Sequence, residues 1–103
     1  MGMKQKIMIV DDAEINRQIL MAILGDKYEY VQAENGCQAV HMLQHDLTID
    51  LILLDINMPE MNGFQMLERM NKFHWIDEIP VIMISSEEKR DIIITRADKN
   101  SWI

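Results

Sequence analysis

Short apolar runs that end in acids or hydroxyls alternate along this chain with stretches whose apolar residues recur every three or four positions. Lys6-Ile7-Met8-Ile9-Val10 is apolar on both faces and ends at Asp11-Asp12, which predicts a buried strand. Ile15, Ile19, Leu20 and Ile23 recur at helical spacing until Gly25 stops the helix. Residues 29–33 form a weaker strand pattern, closed by the turn Glu34-Asn35-Gly36. Ala39, Val40 and Leu43 mark a second helix. Leu51-Ile52-Leu53-Leu54, bounded by Asp50 and Asp55, is the clearest buried strand. The loop Asn57-Met58-Pro59-Glu60-Met61-Asn62-Gly63 leads into a third helix marked by Phe64, Leu67 and Met70. Pro80-Val81-Ile82-Met83-Ile84 predicts a fourth strand that ends at Ser85-Ser86. Residues 87–99 read as a further helix, with acids first and Ile92 to Ile94 inside.

The order β-α-β-α-β-α-β-α implies an α/β fold with a parallel sheet, right-handed crossovers and helices on both faces. In such folds ligands bind beyond the carboxyl ends of the strands, near the switch in strand order. Asp11 and Asp12 leave the first strand, Asp55 the third and Ser85 the fourth, so all four gather at one edge of the sheet.

The bulk properties narrow the setting. A chain of 103 residues, 49% of them apolar, forms one small domain spanning 1–103. A net charge of −7 argues against a nucleic-acid surface, which needs clustered Lys and Arg. The lone Cys37 excludes an internal disulfide and fits a reducing compartment; no apolar run is long enough to span a membrane, so a cytoplasmic setting is expected. Of the ten Met, Met8, Met21, Met66, Met70 and Met83 are read as core fillers, while Met58 and Met61 are placed in a loop facing a partner. His41, His45 and His74 lack metal-ligand spacing with Cys37 and are read as surface residues. Trp75 is expected to pack near the end of the third helix.

Three carboxylates brought together repel unless a cation joins them. A hard cation with oxygen ligands is the natural partner, and Mg²⁺ takes one or two carboxylates with waters and phosphate. A carboxylate also serves as a nucleophile on phosphorus, and a hydroxyl at Ser85 would hydrogen-bond the product. Taken singly, each residue has a plainer reading: Asp11 or Asp12 as the cap of the following helix, Asp55 as a loop cap, Ser85 as a helix cap, Pro59 and Gly63 as a turn. Their joint placement at the ends of three strands favours the site.

The segments Ile9-Val10-Asp11-Asp12, Leu53-Leu54-Asp55-Ile56-Asn57-Met58-Pro59, Met61-Asn62-Gly63 and Pro80-Val81-Ile82-Met83-Ile84-Ser85 resemble the receiver motifs of two-component response regulators. The resemblance implies a flavodoxin-like doubly wound sheet, with the strand order 2-1-3-4-5 of complete members. It implies that Asp55 resembles the phosphoacceptor, and that Asp11, Asp12, Asp55 and the backbone carbonyl of Asn57 hold Mg²⁺. Ser85 matches the switch hydroxyl, and Ser86 the small residue beside the phosphoryl oxygens. Asn16 resembles the residue common in receivers attached to hybrid kinases. The implied activity is acceptance of a phosphoryl group from a sensor histidine kinase or phosphotransfer protein, followed by slow hydrolysis, in a signalling module rather than an enzyme.

The pattern departs from the family after Glu87. The fifth strand with its aromatic switch residue and Lys-Pro pair is absent, as is the fifth helix, and the stretch of about 91–103 is atypical. Neither Lys89 nor Lys99 replaces the family lysine. The expected sheet is therefore 2-1-3-4, with the fourth strand an open edge that favours a homodimer or a swapped element, to which Trp102 would contribute. The alternative function is a phosphorylation-deficient interaction or dimerisation module on the same scaffold. A haloacid-dehalogenase-like phosphohydrolase is disfavoured because Asp55-Ile56-Asn57 lacks the second acid. A flavin binder is disfavoured because no phosphate loop follows the first strand.

Overall fold

The computed structural model describes residues 4–46, 48–56, 58, 61–84 and 92–93, with residues 76, 92 and 93 described through their backbone. Four parallel strands carry the architecture: β1 (Lys6–Val10), β2 (Glu29–Ala33), β3 (Leu51–Asp55) and β4 (Val81–Ile84). Three helices cross between them: α1 (Glu14–Leu24), α2 (Gly36–His45) and α3 (Gly63–Lys72), the last followed by a single 3₁₀ turn at Trp75–Asp77. A two-residue strand, β5 (Ile92–Ile93), completes the order β2-β1-β3-β4-β5. No helix among the described residues is long and apolar enough to cross a membrane.

The strands read as unbroken apolar runs because both their faces are covered. Met8 and Val10, Ile52 and Leu54, and Val81 and Met83 point to one face, where Ala39, Val40 and Leu43 of α2 and Met66, Leu67 and Met70 of α3 meet them. Ile7, Ile9 and Leu53 point the other way, against Leu20, Met21 and Leu24 of α1. The two cores are unequal. The α2/α3 side buries its members almost completely, whereas Ile82 and Ile84 on the α1 side stay partly exposed. Helix ends follow local chemistry: Asn35 caps α2 by accepting from the Gln38 amide, and Asn62 and Gln65 form a reciprocal capping box on α3.

Most expectations for these elements hold, and four are corrected. Met8, Met66, Met70 and Met83 fill the core and Met21 packs at its margin. Trp75 stacks on Phe73 with ring centres 4.8 Å apart. The α1 stripe is the first correction. Arg17, Leu20, Met21 and Leu24 face inward, while Ile15, Ile19 and Ile23 are 66%, 44% and 74% exposed. Both sets satisfy helical spacing, so periodicity marks the helix without choosing its buried face. Second, Met58 is buried and Met61 packs against the core, so both turn inward from the loop expected to face a partner.

Third, Ile92 and Ile93 are extended rather than helical; a run of β-branched residues loses side-chain freedom in a helix and packs well on a sheet. Fourth, the edge of β4 is not fully open, because β5 pairs with it antiparallel at Met83↔Ile93 and Ile84↔Ile92. The remainder of the expected helix over 87–99, and Trp102, lie outside the described residues.

Leu54→Ala, at a site with no exposure, is expected to destabilise the fold by about 2–5 kcal/mol. Ile23→Ala, on the outer stripe, should change stability by no more than about 0.5 kcal/mol. Urea unfolding of the two variants checks that Leu54 belongs to the α2/α3 core and that Ile23 lies on the outer face of α1.

Candidate functional site

The register of β1 against β3 sets the site. Val10 pairs with Leu54, so the next residues, Asp11 on one strand and Asp55 on the other, leave the sheet side by side. The Asp11 amide donates to the Ala33 carbonyl at 3.1 Å, which anchors the end of β1 to β2. Asp55 pairs with Ile84, and the Ile56 amide donates to the Ile84 carbonyl at 3.0 Å. Asp12 follows at the mouth. One carboxylate oxygen from each of Asp11, Asp12 and Asp55 lies within 4.8 Å of the others. Asp11 and Asp55 are buried, with 5% and 2% exposure, and Asp12 is exposed. The sequence-predicted acids are thus brought together, on a sheet edge with one side open to solvent.

The plainer reading of the acid pair fails in detail. Ala13, not Asp11 or Asp12, occupies the cap position of α1, and no side chain caps it. Asp11 instead accepts from the Ala13 amide at 2.9 Å and from the Asn16 side chain at 3.4 Å through Oδ1. Burial nonetheless pushes the Asp11 carboxyl up from its ordinary value, partly offset by the Ala13 and Asn16 hydrogen bonds. Asp12 adds like-charge repulsion and the Arg17 guanidinium opposes it.

A divalent ion relieves this crowding directly. Three carboxylate oxygens, two of them on buried residues, form a hard, anionic donor set of the kind that Mg²⁺ prefers.

Arg17 escaped the sequence reading, and Gly63 has a role beyond the one expected of it. Arg17 is buried at 7% exposure; its Nη1 donates to the Asp11 carbonyl at 2.7 Å and its Nε to the Gln32 side chain at 2.9 Å. It therefore holds the β1–α1 corner against β2. A single cation on an otherwise apolar helix face was the available signal. Gly63, expected to shape the loop just past Asp55, is also a close-approach position. A Cβ there would sit 2.9 Å from the Asp55 carbonyl oxygen and 3.0 Å from the Ile56 Cα. Its amide donates to the Ile56 carbonyl at 3.0 Å, so the start of α3 clamps the chain just beyond Asp55. Gly36 does the same for the loop, since its missing side chain makes room for Met61. Asn57, Ser85 and Ser86, the other candidate site residues, lie outside the described residues, as does Pro59.

The chain matches the model of the response regulator receiver domain over residues 7–100. It is 34% identical over 82 residues to the two-component response regulator ORR3 of Oryza sativa, covering 79% of this chain and 63% of that relative. It is 34% identical over 102 residues to the chemotaxis protein CheY1 of Helicobacter pylori, covering 95% of this chain and 82% of that relative. Similar solved structures include CheY in the CheX-CheY-BeF₃-Mg²⁺ complex from Borrelia burgdorferi. It has a TM-score of 0.75 and 32% identity, over 86% of this chain and 67% of that one. Another is TrrA from Thermotoga maritima in complex with Mg²⁺-BeF, with a TM-score of 0.71 and 28% identity, over 82% of this chain and 71% of that one. The chain spans 63% of the length of the rice relative it matches.

Two outcomes are expected. Asp11→Asn removes a buried charge whose pKa is raised on folding, a penalty that grows as pH rises through that pKa. The variant should therefore be more stable than the parent at neutral pH without metal, and should gain less on adding Mg²⁺; urea unfolding in EDTA and in Mg²⁺ checks both. Gly63→Ala forces a Cβ against backbone that has no free end to move, and should cost about 1–3 kcal/mol, with weaker Mg²⁺ binding by calorimetry.

Proposed function

The chain belongs to the response regulator receiver domain family, and we propose that it accepts a phosphoryl group on Asp55 in a two-component phosphorelay. The observation that carries this reading is the convergence of Asp11, Asp12 and Asp55 at the ends of β1 and β3. The donor is a phosphohistidine on a sensor histidine kinase or a phosphotransfer protein, and the setting is the cytoplasm. Members of the family are signalling modules, and the chemistry proposed here is confined to the chain's own phosphorylation and dephosphorylation.

An Asp55 carboxylate oxygen attacks phosphorus, the P–N bond to the donor imidazole breaks, and an acyl phosphate forms on Asp55. Water later cleaves that mixed anhydride and restores the carboxylate. Asp11, Asp12, Asp55 and the Asn57 carbonyl would hold Mg²⁺, which when bound neutralises charge on the phosphoryl oxygens. Burial of Asp55 holds its carboxylate in a fixed position at the end of β3. Arg17 and Gly63 act as positioning residues, one fixing the Asp11 corner and the other the chain after Asp55. Ser85 would donate its hydroxyl to the phosphoryl group and Ser86 would leave room beside it.

The antiparallel pairing of β5 favours a second reading. In the family that edge carries a parallel strand bearing a lysine that contacts the phosphoryl group, and a chain without it would serve as a phosphorylation-deficient interaction module. Homodimerisation belongs with that reading.

Intact mass after incubation with acetyl phosphate and Mg²⁺ separates the two. A single phosphoryl adduct is expected on the parent, and none on Asp55→Ala or in EDTA. An unmodified parent under the same conditions contradicts phosphoacceptance and leaves the interaction module.

A further inference from the structure

Helix α2 carries its chemistry on the side away from the acid pocket's strands. Its inner face is Ala39, Val40 and Leu43, all buried. Its outer face presents His41 and His45, both exposed and one helical turn apart. Residues four apart on a helix lie above one another, and the two imidazoles meet with ring centres 4.9 Å apart and planes at 75°. The acid pocket uses neither, and nothing in the receiver reading calls for a paired histidine here.

We propose that His41 and His45 form a second metal site, which chelates an imidazole-preferring divalent ion such as Zn²⁺ or Ni²⁺. The spacing is that of two rings sharing one ion. An imidazole nitrogen sits about 2.0–2.1 Å from bound Zn²⁺; with roughly 1.1 Å more to the ring centre, two rings near the tetrahedral angle have centres about 5 Å apart. The observed 4.9 Å separation of the ring centres matches that span, and rotation of the exposed rings would turn a nitrogen of each toward the ion. Water completes the coordination sphere, because both rings face solvent. Cys37, one turn before His41, does not join them; the group of three possible ligands found among the described residues is the aspartate trio.

The surroundings favour a cation. His45 lies in the last turn of α2, where the unpaired carbonyls of the helix end carry partial negative charge. The chain as a whole bears a net charge of −7. Selectivity separates this site from the acid pocket: imidazole suits borderline ions such as Zn²⁺ and Ni²⁺, and carboxylate suits Mg²⁺. An ion held between His41 and His45 would staple the last two turns of α2 and stabilise the folded chain by mass action.

Calorimetric titration with Ni²⁺, in Mg²⁺ sufficient to saturate the aspartate trio, tests the site. The parent and His74→Ala, a control at another exposed histidine, should bind one equivalent and gain thermal stability. His41→Gln and His45→Gln retain helix propensity and should fold as the parent does. Loss of a group that merely orients a ligating histidine costs about 10–100-fold in metal affinity. Loss of a ligand should therefore weaken Ni²⁺ binding at least about tenfold and abolish the thermal shift. Failure of the parent to bind Ni²⁺, or equal binding by either glutamine variant, overturns the proposal.

Discussion

Three carboxylates crowd one end of the sheet because β1 and β3 pair in a register that ends both strands at an acid. Much of the molecule serves this electrostatic constraint. Asp11 and Asp55 lie beyond water's full screening, so their mutual repulsion costs more than it would on an open surface. The backbone restrains them from several directions. Ala33 accepts from the Asp11 amide, Arg17 holds the Asp11 carbonyl, and Gly63 binds the Ile56 carbonyl just past Asp55. A packed core under α2 and α3 makes those restraints rigid. Rigid crowding of like charge is destabilising alone and would be relieved by a bound dication, as the proposed function requires. Under the proposed function the same arrangement would serve Asp55 in accepting a phosphoryl group, since charge on the incoming oxygens needs the same neutralisation.

The two faces of the sheet divide the work. On the α2/α3 face, Met58 and Met61 fold inward and tie the loop after Asp55 to the core, with Gly36 leaving the space that Met61 fills. On the other face, α1 covers Ile7, Ile9 and Leu53 but leaves Ile82 and Ile84 partly exposed, and its own Ile15, Ile19 and Ile23 turn to solvent. Beside Ile82 and Ile84, β5 adds its two antiparallel residues to the edge of the sheet. Stability is therefore expected to concentrate on the α2/α3 side.

The strands were legible because burial on both faces removes the need for alternation, so runs such as Leu51 to Leu54 read as strands without context. The acids were legible because each stands at the end of such a run. What the sequence hid was orientation. Ile15, Ile19 and Ile23 share a helical stripe with equal claim to the core, and only the fold shows that Arg17, Leu20 and Leu24 take the inner face. A buried arginine violates the usual polar-outside pattern, and its partners, the Asp11 carbonyl and Gln32, meet only in three dimensions. Gly63 was readable as a residue that shapes the loop past Asp55, but its steric closeness to that backbone was not, since it depends on how α3 docks. The acids before Ile92 and Ile93 favour a helix, but β-branched preference and an available edge at β4 prevail.

Beryllium fluoride binding followed by ¹⁹F NMR tests the central claim most directly, because it reports the acid pocket as a phosphoryl-accepting, cation-dependent unit. The account predicts bound fluorine resonances when beryllium fluoride and Mg²⁺ are both present, lost in EDTA and absent in Asp55→Asn. Bound resonances that persist in Asp55→Asn, or none in the parent at saturating Mg²⁺, would contradict it.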